Sequence, residues 1–183
     1  MAKHIYNARL SERSINALIK KIDTYKKQLD RKNKEFIQRL SDLGVNVALM
    51  TLASKGSGDA SRAAKFKVTF NVEDKTVEGI IAITSMPNRT SDGRVFYPHL
   101  AWEFGAGNYF NGAASPNPKA AEMGMGIGTF PGQTHVPDPG YWYYIDENGD
   151  KVRSYGTQAT MPMYNASLEM IRQIETVARE VFV

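Results

Sequence analysis

The 183-residue chain contains no cysteine, only three histidines, and no uninterrupted apolar run of eighteen residues. Each absence removes a class of function. Without cysteine there is no disulfide framework and no thiolate nucleophile or ligand. Without a long apolar run no membrane-spanning helix is expected, and the lack of an apolar signal core leads us to expect synthesis in the cytoplasm. His4, His99 and His135 lie far apart and share no ligand spacing, so no metal site is expected. No Gly-x-Ser-x-Gly elbow occurs, and no histidine has an evident acidic orienter. Gly105-x-Gly107 and Gly124-x-Gly126-x-Gly128 lack the lysine, the hydroxyl and the strand–loop–helix setting of a phosphate loop. The latter run is interleaved with Met123, Met125 and Ile127, which suits an adaptable apolar loop. No cofactor is expected.

One carboxylate stands apart. Glu103, between Trp102 and Phe104, could have the raised pKa a general acid needs. The blander use, capping a turn or accepting loop amides, is the expected one. A hydrolase centred on Glu103 is accordingly the last of the alternatives, and the chain is not expected to be an enzyme.

Charge is present but unevenly placed. The net charge is +4 and the pI about 9.2. Residues 1–43 hold eleven Lys/Arg and five Asp/Glu, whereas the remaining residues are slightly acidic. Such asymmetry fits an electrostatic partner, either nucleic acid or an acidic protein surface, and equally fits a solvated helix face. No DNA-reading motif is present, so contact with DNA would be electrostatic. Residues 3–39 would form that electrostatic face, and Lys20, Lys27 and Arg31 within it are candidate interface residues.

Periodicity sets out the elements. Ser11 is a plausible N-cap for a long helix whose Ile15, Leu18, Ile22, Tyr25, Leu29, Phe36, Leu40 and Leu43 recur every three, four or seven residues. Asp23–Lys27, Asp30–Lys34 and Glu35–Arg39 suit its outer face. The span is longer than a compact domain needs, so part of it should project or pack on a neighbouring subunit. Gly44 could kink or end it before Val45–Ala53 resumes. Residues 1–53 thus form a helical segment, and 54–183 form the remainder of a single domain.

Ser54–Ala60 reads as a loop, and Lys65–Val72 alternates as a half-buried strand. Thr76–Thr84 is a second strand, Ser85–Arg94 a loop, and Pro98 opens a short helix to Phe104, stopped by Gly105. Tyr141–Ile145 and Lys151–Tyr155 flank Asn148-Gly149, a hairpin signal. The last helix runs from Pro162 to Phe182 with Tyr164, Leu168, Ile171, Ile174, Ala178 and Val181 as its expected buried stripe. Two long helices against one mostly antiparallel sheet make an α+β domain.

Between Leu100 and Ala166 lies a long stretch rich in glycine and proline, loop 105–140 included. A connection of that length is usually functional or disordered, and its aromatics argue against disorder. It reads as a surface that orders against a partner. Trp102, Glu103, Phe104, Gly105, Gly107, Tyr109, Phe110, Met123, Met125, Tyr141 and Trp142 are its candidate interface residues.

Several segments of this stretch occur in a telling order: Glu103-Phe104-Gly105-Ala106-Gly107, Pro131 through Tyr144, Asp146-Glu147-Asn148-Gly149, Tyr155-Gly156-Thr157-Gln158-Ala159 and Met163-Tyr164-Asn165-Ala166. Together they resemble the minor tail-component family of long-tailed bacteriophages and prophages, the tail-completion or head–tail joining proteins. The resemblance covers about half the chain, from Tyr97 onward. Relatives usually carry Ala-x-Pro-Phe at the last helix, where this chain has Ala159-Thr160-Met161-Pro162-Met163, with proline one place later. They also carry Asp-Thr-Gly-x-Leu where this chain has Lys55-Gly56-Ser57-Gly58-Asp59.

The family implies a structural α+β protomer of a homo-oligomeric ring in the virion, at the junction of neck and tail. Its implied partners are copies of itself and the neck and tail-terminator proteins, with DNA near by and no membrane. The alternative is a nucleic-acid-associated protein that uses its basic first helix.

Overall fold

In the computed structural model, residues 11–54, 64–73, 76–90, 95–107, 116–125, 141–146 and 148–183 are described. Helix α1 spans Glu12–Ser54. Ser11 caps it as expected, its Oγ accepting the Ser14 amide at 3.3 Å. At ~1.5 Å per residue the helix is about 64 Å long. Gly44 neither ends nor interrupts it. A Cβ there would lie 2.7 Å from Met170 Sδ and 2.8 Å from Ile81 Cδ1, so the glycine admits close neighbours.

Strands β1 (Lys65–Glu73) and β2 (Thr76–Thr84) form an antiparallel ladder from Lys65↔Thr84 to Glu73↔Thr76. This register places Phe66, Val68 and Phe70 opposite Ile83, Ile81 and Gly79, on the face that α1 approaches at Ile81 and Gly79. The helix lies closest at Gly79, where an added Cβ would meet Ile37 Cγ2 at 2.6 Å and Ser41 Oγ at 3.0 Å. A branched methyl has little room to retreat. Gly79→Val is therefore expected to lower stability by about 2 kcal/mol, to be read from the urea midpoint. Gly44→Ala is expected to cost less, because the atoms it meets are the ends of flexible side chains and alanine favours helix.

Residues 85–94, expected as loop only, also contain strand β3 (Asn88–Thr90), and β4 (Val95–Phe96) pairs back on it. β3 also pairs with β6 (Trp142–Ile145), which pairs with β7 (Lys151–Ser154), giving the order β4-β3-β6-β7. The expected hairpin is present. Asp146 Oδ1 accepts the Asn148 and Asp150 amides at 2.9 Å, and Gly149 takes φ +87°, which glycine adopts without steric cost. The short strands β5 (Ala106–Gly107) and β8 (Gly156–Thr157) form a third sheet. Among the described residues the single expected sheet is thus three separate antiparallel sheets, but the α+β class holds.

Helix α2 spans Pro98–Phe104 and α3 spans Pro162–Phe182. α3 runs antiparallel along the C-terminal half of α1. Met170 lies at Gly44, Arg39 reaches Glu180 at 3.2 Å, and the Phe36 and Phe182 rings are 5.8 Å apart. Of the expected buried stripe of α3, Val181 is buried and Tyr164 and Ala178 are half-buried, but Leu168, Ile171 and Ile174 are 48 %, 67 % and 46 % exposed, and Pro162 and Ala166 are buried instead. The face turned to α1 carries Met170, with Phe182 at its end.

Of the ion pairs expected on α1, Glu35–Arg39 closes at 2.6 Å. Among the described residues Asp23–Lys27 and Asp30–Lys34 do not. Leu52 and Trp102 form the centre of the core, with Ala64, Phe66 and Ile83 packed against them. No helix among the described residues is long and apolar enough to cross a membrane.

Candidate functional site

Helices α2 and α3 both start on a proline, after Tyr97 and Met161, and neither of these residues supplies a capping side chain. A helix start leaves backbone N–H groups that need acceptors. In both cases the acceptor comes from elsewhere in the chain. For α2 it is Ser85, whose Oγ accepts the His99 amide at 3.2 Å and lies 2.9 Å from His99 Nδ1. The hydroxyl can donate to Nδ1 or accept from it, according to the ring tautomer.

For α3 the acceptor is Glu103, sixty residues earlier and only 8 % exposed. Its Oε2 accepts the Met163 amide at 2.8 Å, and its Oε1 accepts the Tyr164 amide at 3.0 Å and the Asn117 side-chain amide at 2.8 Å. Asn117 is itself 3 % exposed and accepts the Lys119 amide on Oδ1 at 2.9 Å. A carboxylate at a helix start also meets the positive end of the helix dipole. Burial pushes the Glu103 carboxyl above its ordinary value, and the Met163, Tyr164 and Asn117 donors pull against that shift.

The neighbouring carbonyl completes the joint. Trp102 O, in the last turn of α2, accepts the Thr160 amide at 2.8 Å, the Met161 amide at 3.0 Å and the Thr160 hydroxyl at 3.2 Å. Spare acceptors at the end of α2 thereby meet spare donors at the entry to α3. Met161 is held in the left-handed region at φ 55°, ψ 52°. An L-residue there costs about 1–2 kcal/mol, and the two amide bonds to Trp102 O fix it. Beside this joint β5 and β8 pair Ala106 with Thr157 and Gly107 with Gly156. The two anchors that bound the glycine-rich stretch are thus clasped together at its base.

A largely apolar groove of about 250 Å³ opens beside the clasp, lined by Ile83, His99, Leu100, Glu103, Phe104, Asn117, Lys119, Met123, Met163, Tyr164 and Ser167. Burial holds His99 below the ordinary histidine value. The imidazole therefore stays neutral in the fold over a range where the unfolded chain already binds a proton. Stability should rise with pH between the lowered value and the ordinary one, and fall on acidification through that window. Urea unfolding across that window should show this slope in the wild type and its loss in His99→Gln. Among the described residues no carboxylate hydrogen-bonds the imidazole, and no group of acidic or histidine side chains could hold a metal.

The candidate interface residues divide. Trp102, Glu103, Phe104 and Gly105 are buried within the chain. Gly105 ends α2 at φ +80°. Gly107 lies in β5, and the backbone of Trp142 lies in β6. Met123 is 61 % exposed and Met125 half-buried. Tyr141 is half-buried in a cluster in which its ring meets Tyr143 at 5.7 Å and Tyr155 at 6.1 Å, with the Arg153 guanidinium 5.4 Å above it. Lys20, Lys27 and Arg31 are exposed on α1. Tyr109 and Phe110 lie outside the described residues, as does most of loop 105–140.

Sequence reasoning missed Ser85, Asn117 and Thr160 as acceptors and donors of the clasp. The available signal was negative: two Pro-initiated helices with no capping residue before them. Comparison with protein-family models, with curated proteins and with solved structures gives no match.

Proposed function

We propose that this chain is a structural protein of the neck and tail of a long-tailed bacteriophage or prophage, joining tail to head as one protomer of a ring. The observation that carries this reading is the ordered set of segments from Glu103 to Ala166 that resembles the minor tail-component family. The architecture is compatible with it. The first and last of those segments clasp each other, so a long excursion between them is presented from a fixed base. Glu103, the one carboxylate singled out for chemistry, has both oxygens engaged by the start of α3 and by Asn117. The partners on this reading are further copies of the chain and the neck and tail-terminator proteins, and its place is the virion.

The test is a phage lacking the chain, imaged by electron microscopy. Filled heads and free tails that do not join support the reading. Normal particles overturn it.

A second reading, electrostatic contact with nucleic acid, is favoured by the exposure of Lys20, Lys27 and Arg31 on α1. Duplex binding should then weaken steeply with salt. No binding at low salt removes this reading.

A further inference from the structure

Among the described residues, the apolar stripe of α1 continues past the elements packed on its C-terminal half. α3 ends at Phe182 beside Phe36, and β2 meets α1 at Ile37 and Ser41. From Glu12 to Phe36 the helix overhangs by about 36 Å. Along that overhang Ile15, Ile19, Ile22 and Leu29 are 38–51 % exposed. At ~100° per residue they prolong the face that Leu40, Gly44 and Ala48 turn inward. Lys26 sits in the middle of this stripe, and the segment Glu12–Glu35 carries eight Lys/Arg against four Asp/Glu.

A second apolar face is left open on α3. Leu168, Ile171 and Ile174 form it, and Glu175, paired with Arg179 at 2.5 Å, lies among them with its side chain 77 % exposed. α3 holds three Glu and two Arg. The two faces cannot satisfy each other within one chain, because α3 lies alongside the covered half of α1 and turns this face away from it.

We propose that the α1 overhang of one copy docks on the outer face of α3 of the next copy. Charge selects this pairing over the symmetric one. Two overhangs laid together would bring two strongly basic segments into contact, each with a Lys26 in its seam. Overhang against α3 instead sets Lys26 opposite Glu175 and covers both apolar faces with a single contact. Because the two surfaces differ, the contact is head-to-tail and propagates to a closed ring or a filament. As a ring contact it rests on the reading above, yet it forms in solution without the particle.

The native chain has no cysteine, so single cysteines report cleanly. Ile22→Cys and Ile171→Cys proteins are prepared separately, treated with a short bismaleimide alone and mixed, and analysed by mass, with circular dichroism to confirm folding. A covalent dimer that appears only in the mixture is expected. Self-linking of Ile22→Cys alone would overturn the proposal in favour of overhang pairing. A single-chain mass for the native protein, with no link in the mixture, would also overturn it.

Lys26→Glu should raise the dissociation constant about fivefold, and Lys26→Glu with Glu175→Lys should restore it. Failure of the double variant to restore counts against the pairing. Cross-linking as expected, combined with normal particles from the phage lacking the chain, would sink the virion reading and leave this contact standing.

Discussion

Glu103→Ala is expected to lower the stability of the isolated chain by about 3 kcal/mol, measured by urea unfolding. The carboxylate is the acceptor for the Met163 and Tyr164 amides and for the Asn117 side chain, all at the base of α3. Removing one acceptor from buried donors costs roughly 1–3 kcal/mol per group, and neighbouring losses are not additive. Glu103→Gln should cost less, about 1–2 kcal/mol. Its amide oxygen can still accept, but its NH₂ then faces one of the backbone donors.

The two variants also separate charge from shape. Burial raises the Glu103 carboxyl, so between its ordinary and its raised value the folded chain holds the proton more tightly than the unfolded chain. Stability therefore falls as pH rises through that window and levels off above it. Glu103→Gln should abolish this slope. A stability change below about 0.5 kcal/mol for Glu103→Ala, the range of an ordinary surface site, would contradict the capping role.

Trp102→Ala is expected to cost about 3–5 kcal/mol, as large aromatic truncations in cores do. The ring is 8 % exposed and packs with Leu52 against Ala64, Phe66 and Ile83. This substitution distinguishes two uses of a tryptophan that the sequence leaves open. A docking tryptophan on an exposed loop would leave the urea midpoint of the lone chain nearly unchanged and weaken only assembly. A core tryptophan lowers the midpoint in the lone chain. Backbone contacts to Trp102 O remain possible with alanine, so the loss reports the ring.

Elements whose signal is local were legible in the sequence. Ser11 caps α1 through its own side chain, the alternation in Lys65–Val72 places its phenylalanines and valines on one face, and Asn148-Gly149 turns the hairpin. Where the signal depends on a distant partner it was not. Met161 and Tyr97 offer nothing as caps, because Glu103 and Ser85 do that work from other segments. Nothing within a short window reveals such a pairing. Gly44 resembles a helix breaker in sequence, and only the approach of Met170 and Ile81 explains it.

The inward face of α3 was misplaced for a related reason. Leu168, Ile171 and Ile174 are bulkier than Ala166 and Val181, so hydrophobicity favours them. The face that meets α1 is instead the one carrying Met170, which fills the space Gly44 leaves. The isoleucines and leucine then become a surface feature, which carries information about assembly rather than about the core. Trp102 and Phe104, two of the candidate interface residues, are buried within the chain. The chemistry around Glu103 followed the expected direction: a carboxylate that accepts backbone amides.

Amide hydrogen exchange on the isolated chain tests most directly whether the two anchors hold each other. The bonds from Thr160 and Met161 to Trp102 O, and from Met163 and Tyr164 to Glu103, close the base of the excursion. These four amides should exchange slowly in the wild type, with protection close to that of global unfolding. In Glu103→Ala the Met163 and Tyr164 amides should speed up most. Exchange of these amides at open-peptide rates in the wild type would contradict the clasp.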